Sequence, residues 1–294
     1  MKIFKGCCTA LATPFLMDGN VDFNSMGKLI DFQINNGIDG ILVCGTTGEA
    51  CTLNDDEHIE VLKFCKERIG KRVPFIAGTG SNDTMHAVFM SEQAEKAGAD
   101  ALLLVTPYYN KCSEKGLYQH YKTIASKTSL PIIIYNVPKR TGVDMKPSLV
   151  KKLSEIENIT AIKEASGSLE KAKEIKELCG SDFAVYSGND DIAIPIMDLG
   201  GEGVISVTSN ILPKECSQMT RAFLSGQKET AYKISAKLEN INKLLFKDVN
   251  PIPIKACLYL MGISGLNYRL PLCPPDDMLM EELKKELIRL EVIK

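Results

Sequence analysis

The chain has 294 residues, of which 45% are apolar and 24% are charged, and these proportions are ordinary for a globular protein. Its 35 Lys and Arg residues nearly balance its 37 Asp and Glu residues, and no block of one sign stands out. Nucleic-acid binding needs a basic surface that displaces counterions from phosphates, so this balance argues against that function. We expect small-molecule ligands, no nucleic-acid partner and no membrane partner.

The ten cysteines are too few for a disulfide scaffold, and no pair has the C-x-x-C spacing of zinc or redox sites. The apolar stretch at 6–16 superficially resembles a signal peptide, but Thr9, Thr13 and Pro14 interrupt it, and it fits a first buried strand equally well. No other run approaches the ~20 residues of a membrane helix. These features predict a cytoplasmic protein with reduced cysteines.

Short apolar runs recur along the chain, and each is followed by a segment in which apolar residues stand three or four positions apart. Many runs are apolar at consecutive positions, as in Ile132-Ile133-Ile134, which is typical of parallel strands covered on both faces. The eight runs lie at 7–13, 40–45, 73–78, 101–106, 131–136, 159–163, 183–188 and 203–207. They predict an α/β fold, a (β/α)8 TIM barrel, because a doubly wound sheet usually carries a G-x-G-x-x-G loop that this sequence lacks.

More chain follows the eighth run than a barrel needs. A helix is predicted to begin at Pro213, and further apolar stripes lie at 231–245, 254–261 and 278–290. No low-complexity linker separates these stripes from the barrel. We therefore predict a catalytic barrel over residues 1–224 and a C-terminal helical region over residues 225–294 that packs on it.

Active sites of such barrels lie at the carboxyl ends of the strands, and Lys163 stands at the end of the sixth run. Loss of water would lower the pKa of its amine, and a neutral amine can attack a ketone to form an imine. The alternative is a lysine that extends to solvent or pairs with the neighbouring Glu164. Position alone does not decide between these interpretations.

Two other strand ends carry polar residues that could serve the same site. Tyr135 ends the adjacent strand and its phenol could carry protons, although a lone strand tyrosine is often simply buried. Thr46 and Thr47 stand between glycines and could hold a carboxylate, or they could form a plain turn before a helix. Arg140 could bind a carboxylate through two hydrogen bonds, or it could lie in solvent.

The sequence lacks the residue patterns that a metal-dependent or phosphate-binding enzyme would need. His58, His86 and His120 fall in helical segments without the H-x-H or H-E-x-x-H spacing of metal-dependent enzymes. Asp190-Asp191 fits the acidic start of a helix better than a cation site. The glycines within 200–203 precede the eighth strand, whereas a phosphate site would follow it. We therefore expect no metal site.

Together, these residues resemble the pyruvate-dependent class I aldolase family, which includes the N-acetylneuraminate lyases. Gly45-Thr46-Thr47-Gly48-Glu49 is similar to the family's first signature. The stretch from Tyr135 through Ala161-Ile162-Lys163-Glu164 is similar to its second signature. The likeness covers nearly the whole chain, and it implies a Schiff base on Lys163 in a barrel enzyme without a metal or an organic cofactor.

Within the family, the sequence is most similar to the branch that condenses pyruvate with L-aspartate 4-semialdehyde on the route to diaminopimelate and lysine. The residues that carry this likeness are Thr46-Thr47, Tyr108-Tyr109 and Arg140. The likeness implies that Lys163 forms an imine with C2 of pyruvate. It also implies a homodimer or homotetramer, because Tyr109 would enter the site from a neighbouring subunit.

The resemblance gives each remaining site residue a role. Tyr135 would carry protons, and Thr46 and Tyr109 would relay them to bulk water. The groups that would hold the substrates are Thr46 and Thr47 for the pyruvate carboxylate, Arg140 for the carboxylate of the semialdehyde, Ile205 for contact with pyruvate, and Gly188, which leaves room for it.

Family members that lysine inhibits surround this effector with a serine, two histidines, an asparagine, a glutamate and a tyrosine. Position by position, the corresponding residues here are Ala50 for the serine, Asp55 and His58 for the histidines, Asn82, His86 for the glutamate, and Tyr108. The acid that should meet the effector's side-chain ammonium is missing, and a protonated imidazole would repel it. We predict weak or absent inhibition by lysine.

Two other functions stay open at this point. A neuraminate or keto-deoxy sugar acid aldolase of the same family would be favoured if Arg140 proved irrelevant and a sugar acid were turned over. A ligand-binding barrel without catalysis is opposed by the intact set of Lys163, Tyr135 and Thr46.

Overall fold

The computed structural model describes residues 2–294, and in it eight parallel strands close into a barrel in chain order, which confirms the predicted (β/α)8 fold. Each strand pairs with its sequence neighbours, and β8 pairs with β1. The strands are β1 (Gly6–Ala10), β2 (Gly40–Val43), β3 (Phe75–Gly78), β4 (Ala101–Val105), β5 (Ile132–Asn136), β6 (Ile159–Glu164), β7 (Ala184–Ser187) and β8 (Gly203–Ser206).

Side chains of the strands alternate between the barrel interior and the layer under the helices. Leu42, Ile76 and Leu103 lie in the interior cluster, whereas Ile41 and Leu102 lie in the larger cluster between the strands and the helices. Both faces of each strand are therefore covered by apolar groups. This burial is why the sequence runs are apolar at consecutive positions.

Twelve helices occur in residues 2–294, together with two short 3₁₀ helices at Ala50–Thr52 and Thr208–Asn210. The helices that accompany the strands are α1 (Phe23–Asn35), α2 (Asp55–Ile69), α3 (Thr84–Lys96), α4 (Glu114–Ala125), α5 (Pro138–Thr141), α6 (Pro147–Leu153), α7 (Leu169–Cys179), α8 (Ala193–Asp198) and α9 (Pro213–Leu224). The helices that follow are α10 (Lys228–Leu244), α11 (Ile252–Leu260) and α12 (Asp277–Arg289).

The first turn of α2 illustrates how local sequence sets these bounds. The side chain of Asn54 accepts a hydrogen bond from the backbone N–H of Glu57, and the Glu57 carboxylate accepts one from the N–H of Asn54. This reciprocal capping box satisfies donors that the helix itself leaves free. The prolines at 147 and 213 each stand at the first position of a helix, where a missing N–H costs nothing.

One local prediction was wrong. Asp190 does not begin a helix, because α8 starts only at Ala193. Its buried carboxylate instead accepts hydrogen bonds from the backbone N–H groups of Val207 at 2.9 Å and Thr208 at 3.3 Å. Asp190 thus joins the end of β7 to the loop after β8, and its burial raises the pKa of the carboxyl group.

The C-terminal helices pack against the carboxyl end of the barrel. Arg269, which lies between α11 and α12, donates hydrogen bonds to the Glu57 carboxylate at 2.9 Å and to the Gly19 carbonyl at 2.9 Å. Lys255 on α11 forms an ion pair with Glu49, and both side chains are almost completely buried. These contacts fasten the C-terminal region to the loops that follow β1 and β2. A division of the chain into two regions at residue 224 stays a prediction.

All ten cysteines lie within residues 2–294 and are free thiols. No helix in this described part of the chain is long and apolar enough to cross a bilayer. In the same residues, no three His, Cys, Asp or Glu side chains are grouped so that they could ligate a metal ion.

Candidate active site

A cavity of about 1130 Å³ opens at the carboxyl ends of the strands. Six of the residues that the sequence predicts for the site line it together: Thr46, Thr47, Tyr135, Arg140, Lys163 and Gly188. A second cavity of about 1170 Å³ lies at the opposite end of the barrel, and its lining contains none of these six residues. The chemistry therefore concentrates at the end of the barrel where such enzymes carry their active sites.

Lys163 lies near the carboxyl end of β6, and its side chain is only 5% exposed. This lysine neither extends to solvent nor pairs with Glu164. The Glu164 carboxylate instead accepts hydrogen bonds from Asn136 Nδ2 at 2.9 Å and from the Ser166 N–H at 2.6 Å. Burial lowers the pKa of the Lys163 amine to about 8, so that about a tenth of it is neutral at pH 7, far more than for an ordinary lysine.

Tyr135 stands beside Lys163 because β5 and β6 pair in a register that places the two residues opposite each other. The Lys163 Nζ atom lies 4.6 Å from the centre of the Tyr135 ring. Burial raises the pKa of the Tyr135 phenol, while the charge of Arg140 and hydrogen bonding with Thr46 act in the opposite direction. The phenol therefore stays protonated, so it can donate a proton beside the amine.

Thr46 and Thr47 occupy the turn between β2 and the 3₁₀ helix at Ala50–Thr52. The turn is tight, because a Cβ atom at Gly48 would lie 3.2 Å from the Leu11 carbonyl oxygen. Thr47 is 3% exposed, and its Oγ1 accepts a hydrogen bond from Asn250 Nδ2 at 3.1 Å. Two hydroxyl groups thus face one cavity from neighbouring positions, an arrangement that suits a small carboxylate.

Arg140 lies on the short helix α5, just after the end of β5. Its Nη2 donates to the backbone carbonyl of Asn250 at 2.8 Å, so the guanidinium is anchored at the cavity wall although the residue as a whole is exposed. Other N–H groups of the fork are left to bind a carboxylate. Its positive charge also contributes to the lowered pKa of Lys163.

Gly188 lies directly after β7, against Lys163. A Cβ atom at this position would lie 3.2 Å from Lys163 Cε and 2.6 Å from Ala165 Cβ, so any side chain would crowd the lysine. Ile205 on β8 is completely buried in the interior cluster with Tyr135, but it does not line the cavity. Its contact with a bound substrate stays a prediction.

Tyr109 does not reach the cavity of its own chain. It is 93% exposed, and it adopts a left-handed backbone conformation with φ of 69°. The surrounding loop is braced by hydrogen bonds from Asn82 Nδ2 to the Tyr108 carbonyl at 3.2 Å and from Asn110 Nδ2 to the Asn82 carbonyl at 2.9 Å. The loop therefore presents an aromatic side chain outward on a defined backbone.

The six residues at the predicted regulatory positions fall on neighbouring segments. His86 Nε2 lies 2.9 Å from Asp55 Oδ1, so these two residues pair with each other. His58 is buried, its Nε2 lies 3.0 Å from the Gly78 carbonyl oxygen, and burial lowers its pKa to about 4. Ala50 begins the 3₁₀ helix after the threonine turn. Weak or absent inhibition by lysine stays a prediction.

The C-terminal wall of the cavity has no counterpart in the sequence predictions. One side of the cavity is closed by residues within 232–250, which belong to α10 and to the segment that follows α10. In that segment, Asn250 contacts both Thr47 and Arg140. Helical periodicity identifies α10 as a helix, but it does not indicate which turn faces the barrel mouth. The prolines at 251 and 253 mark an interruption in the helices and carry no information about Asn250.

Comparison with known proteins places this geometry in one family. Residues 3–290 match the Dihydrodipicolinate synthetase family. A 4-hydroxy-tetrahydrodipicolinate synthase from Acetivibrio thermocellus is 51% identical over 285 residues, which cover 97% of each chain.

Solved structures agree with the sequence comparison. The crystal structure of dihydrodipicolinate synthase from Aquifex aeolicus superposes with a TM-score of 0.96 at 42% identity, covering 98% of this chain and 99% of that one. The chloride-inhibited dihydrodipicolinate synthase from Acinetobacter baumannii, in complex with pyruvate, superposes with a TM-score of 0.97 at 43% identity, covering 99% of this chain and all of that one. The chain belongs to the Dihydrodipicolinate synthetase family.

Proposed function

We propose that this chain uses Lys163 to condense pyruvate with L-aspartate 4-semialdehyde, forming 4-hydroxy-tetrahydrodipicolinate for the synthesis of diaminopimelate and lysine. This is the lyase activity for which its relatives are named. The observation that carries the proposal is the desolvated amine of Lys163, which lies in the cavity 4.6 Å from the centre of the Tyr135 ring. The reactive groups all come from the polypeptide.

The reaction begins when the neutral amine of Lys163 attacks C2 of pyruvate. Loss of the keto oxygen as water leaves an iminium, which draws electrons from C3 and allows that carbon to lose a proton. The resulting enamine carbon attacks the aldehyde of the second substrate. The amine of that substrate then attacks C2, closes the ring and displaces Lys163, which leaves with its original protonation restored.

Protons must move at each of these steps, and Tyr135 is the group placed to carry them. Its phenol lies beside the amine, and Thr46 continues the chain of hydroxyl groups. The carboxylate of pyruvate rests on Thr46 and Thr47, and Arg140 holds the carboxylate of the semialdehyde. The groups proposed to hold the two carboxylates line one cavity, and Asn250 contacts both Thr47 and Arg140.

The assembly that performs this reaction is a homodimer or a homotetramer located in the cytoplasm. Tyr109 supports this part of the proposal, because a nearly fully exposed tyrosine on a braced loop is suited to enter the cavity of a neighbouring copy. There its hydroxyl would extend the proton path from Thr46 to bulk water.

Borohydride trapping tests the proposal directly. Reduction in the presence of pyruvate should attach the keto acid to Lys163, which peptide mass mapping would identify. Lys255 is the other buried lysine of the described residues and serves as an internal control, since its amine is paired with Glu49 and should stay unmodified. The Lys163→Ala variant should fold, lose the label and lose nearly all activity.

Labelling at another lysine, or no labelling, would overturn the mechanism. Labelling of Lys163 accompanied by turnover of a sugar acid, but not of L-aspartate 4-semialdehyde, would instead assign the chain to the sugar acid aldolases.

A further inference from the structure

We propose that Asn250 is a positioning residue that fixes the Thr47 hydroxyl as a hydrogen-bond donor toward the carboxylate of pyruvate. This inference rests on the proposed function, which places that carboxylate on Thr47. Asn250 belongs to the segment between α10 and α11, about 200 residues away from Thr47 in the sequence. It therefore adds a residue of the C-terminal helices to the binding of the first substrate.

The hydrogen bond between Asn250 and Thr47 has a direction that determines what the Thr47 hydroxyl can bind. Asn250 Nδ2 donates to Thr47 Oγ1 at 3.1 Å, so this hydroxyl oxygen acts as an acceptor. Within residues 2–294, the Thr47 hydroxyl has no acceptor of its own, although its residue is 3% exposed. Its hydrogen is thus left for a ligand, and a carboxylate, which only accepts hydrogen bonds, is the complementary partner.

Two further contacts hold the segments that carry Thr47 and Asn250 in place. The backbone carbonyl of Asn250 accepts from Arg140 Nη2 at 2.8 Å. Two residues beyond Thr47, Glu49 pairs with Lys255, five residues beyond Asn250. The C-terminal segment is thereby joined to α5 at Asn250 and to the threonine turn at Lys255, and these contacts keep Asn250 beside Thr47.

The side-chain amide of Asn250 lowers the stability of the folded state. The residue is 5% exposed, and its Oδ1 atom is buried without a hydrogen-bond partner among the described residues. A buried unpaired oxygen destabilises the folded state, so an apolar side chain of similar size would serve packing better. The donor function of Nδ2 gives a reason for an amide at this position.

The test measures the pyruvate concentration that gives half-maximal borohydride trapping at Lys163, without the second substrate. Asn250→Asp replaces the donor by an acceptor, which would turn the Thr47 hydrogen away from the substrate. We expect the half-saturating concentration to rise about tenfold or more, because a hydrogen bond to a charged group is lost. Asn250→Ala leaves the hydroxyl free to rotate, and a smaller rise of about threefold is expected.

A matched control separates charge from hydrogen-bond direction. Asn189 also lines the cavity, so Asn189→Asp adds the same charge without a contact to Thr47, and it should raise the half-saturating concentration less than Asn250→Asp does. In a Thr47→Val background, Asn250→Ala should have no further effect, because no hydroxyl remains to be oriented. This second comparison stands even where the aspartate variant fails to fold.

Three results would count against the inference. An unchanged half-saturating concentration in Asn250→Asp would mean that the amide presents its oxygen to Thr47. Equal effects of the two aspartate variants would mean that charge alone acts, and an undiminished effect of Asn250→Ala in the Thr47→Val background would assign Asn250 a different role. Absence of any label at Lys163 in the unsubstituted protein would instead reject the proposed function.

Discussion

The amine of Lys163 is useful as a nucleophile only when it has lost its proton. With an ordinary lysine pKa, about 0.3% of the amine would be neutral at pH 8. Burial lowers the pKa to about 8, which makes about half of it neutral at that pH. We predict that kcat/KM for pyruvate rises with pH and levels off above about pH 8, as a pH–rate profile would reveal. A rise that continued to pH 10 would contradict a desolvated amine.

Arg140 has two separable effects on the site. We predict that Arg140→Ala raises KM for L-aspartate 4-semialdehyde tenfold or more, and far more than KM for pyruvate, because a charged hydrogen-bonding group for its carboxylate is lost. Loss of its charge should also shift the pH profile of Lys163 upward. Arg140→Lys provides the control, since it keeps the charge but not the two-pronged geometry. Equal changes in both KM values would count against the assignment.

Gly188 gives a steric test of where pyruvate binds. In Gly188→Ala, the new Cβ would meet Ala165 Cβ at 2.6 Å, so the backbone there must shift, and it would meet Lys163 Cε at 3.2 Å, so the lysine side chain must also give way slightly. We predict at least a tenfold loss of kcat/KM for pyruvate, measured by steady-state kinetics, because small displacements of a reacting group are costly to the rate.

A second glycine provides the comparison for this variant. At Gly27 in α1, a Cβ atom would have its nearest contact at 3.5 Å, an ordinary van der Waals distance. Gly27→Ala should therefore leave the kinetics unchanged. If Gly188→Ala behaved like Gly27→Ala, the site near Lys163 would have more room than the structure gives it.

Between elements, the ion pair of Glu49 and Lys255 connects the turn after β2 with α11. Lys255 Nζ also lies 4.3 Å from the centre of the Phe15 ring and 4.9 Å from that of Tyr268, so aromatic faces surround the cation. We predict that Lys255→Met lowers the free energy of unfolding by about 3–5 kcal/mol, because it leaves the Glu49 carboxylate buried and unpaired. Urea denaturation followed by circular dichroism would measure this loss.

The double variant Glu49→Gln, Lys255→Met should recover much of that stability, since neither partner then carries an unpaired charge. A double variant less stable than Lys255→Met alone would mean that the two residues stabilise the protein independently of each other.

The order of strands and helices was predictable from sequence because buried parallel strands impose apolar residues at consecutive positions. The neighbouring placement of Tyr135 and Lys163 was predictable as well, since both end adjacent strands of a closed parallel barrel. Asn250 was not predictable. Its contact with Thr47 depends on how α10 and α11 pack over the barrel mouth, and no local pattern of residues encodes that packing.

At the level of the whole molecule, the proposed role of Tyr109 makes activity depend on assembly. Because Tyr109 is exposed and does not line the cavity of its own chain, we predict that dilution to monomers abolishes turnover while the barrel stays folded. Sedimentation velocity and activity, measured across the same concentrations, would test this. Tyr109→Phe should slow turnover without dissociating the assembly, because it removes only a hydroxyl group. An active monomer would refute the prediction.

The C-terminal wall of the cavity means that this chain builds its candidate active site from two distant stretches of sequence. Lys163 and Tyr135 come from the strands, whereas one wall of the same cavity comes from residues within 232–250. Apart from Asn250, which contacts Thr47, residues of that stretch can change and reshape the cavity wall without displacing the two strand residues. The strands hold the amine and the phenol in place, and the C-terminal helices are the part of the cavity whose surface can diverge without rebuilding the barrel.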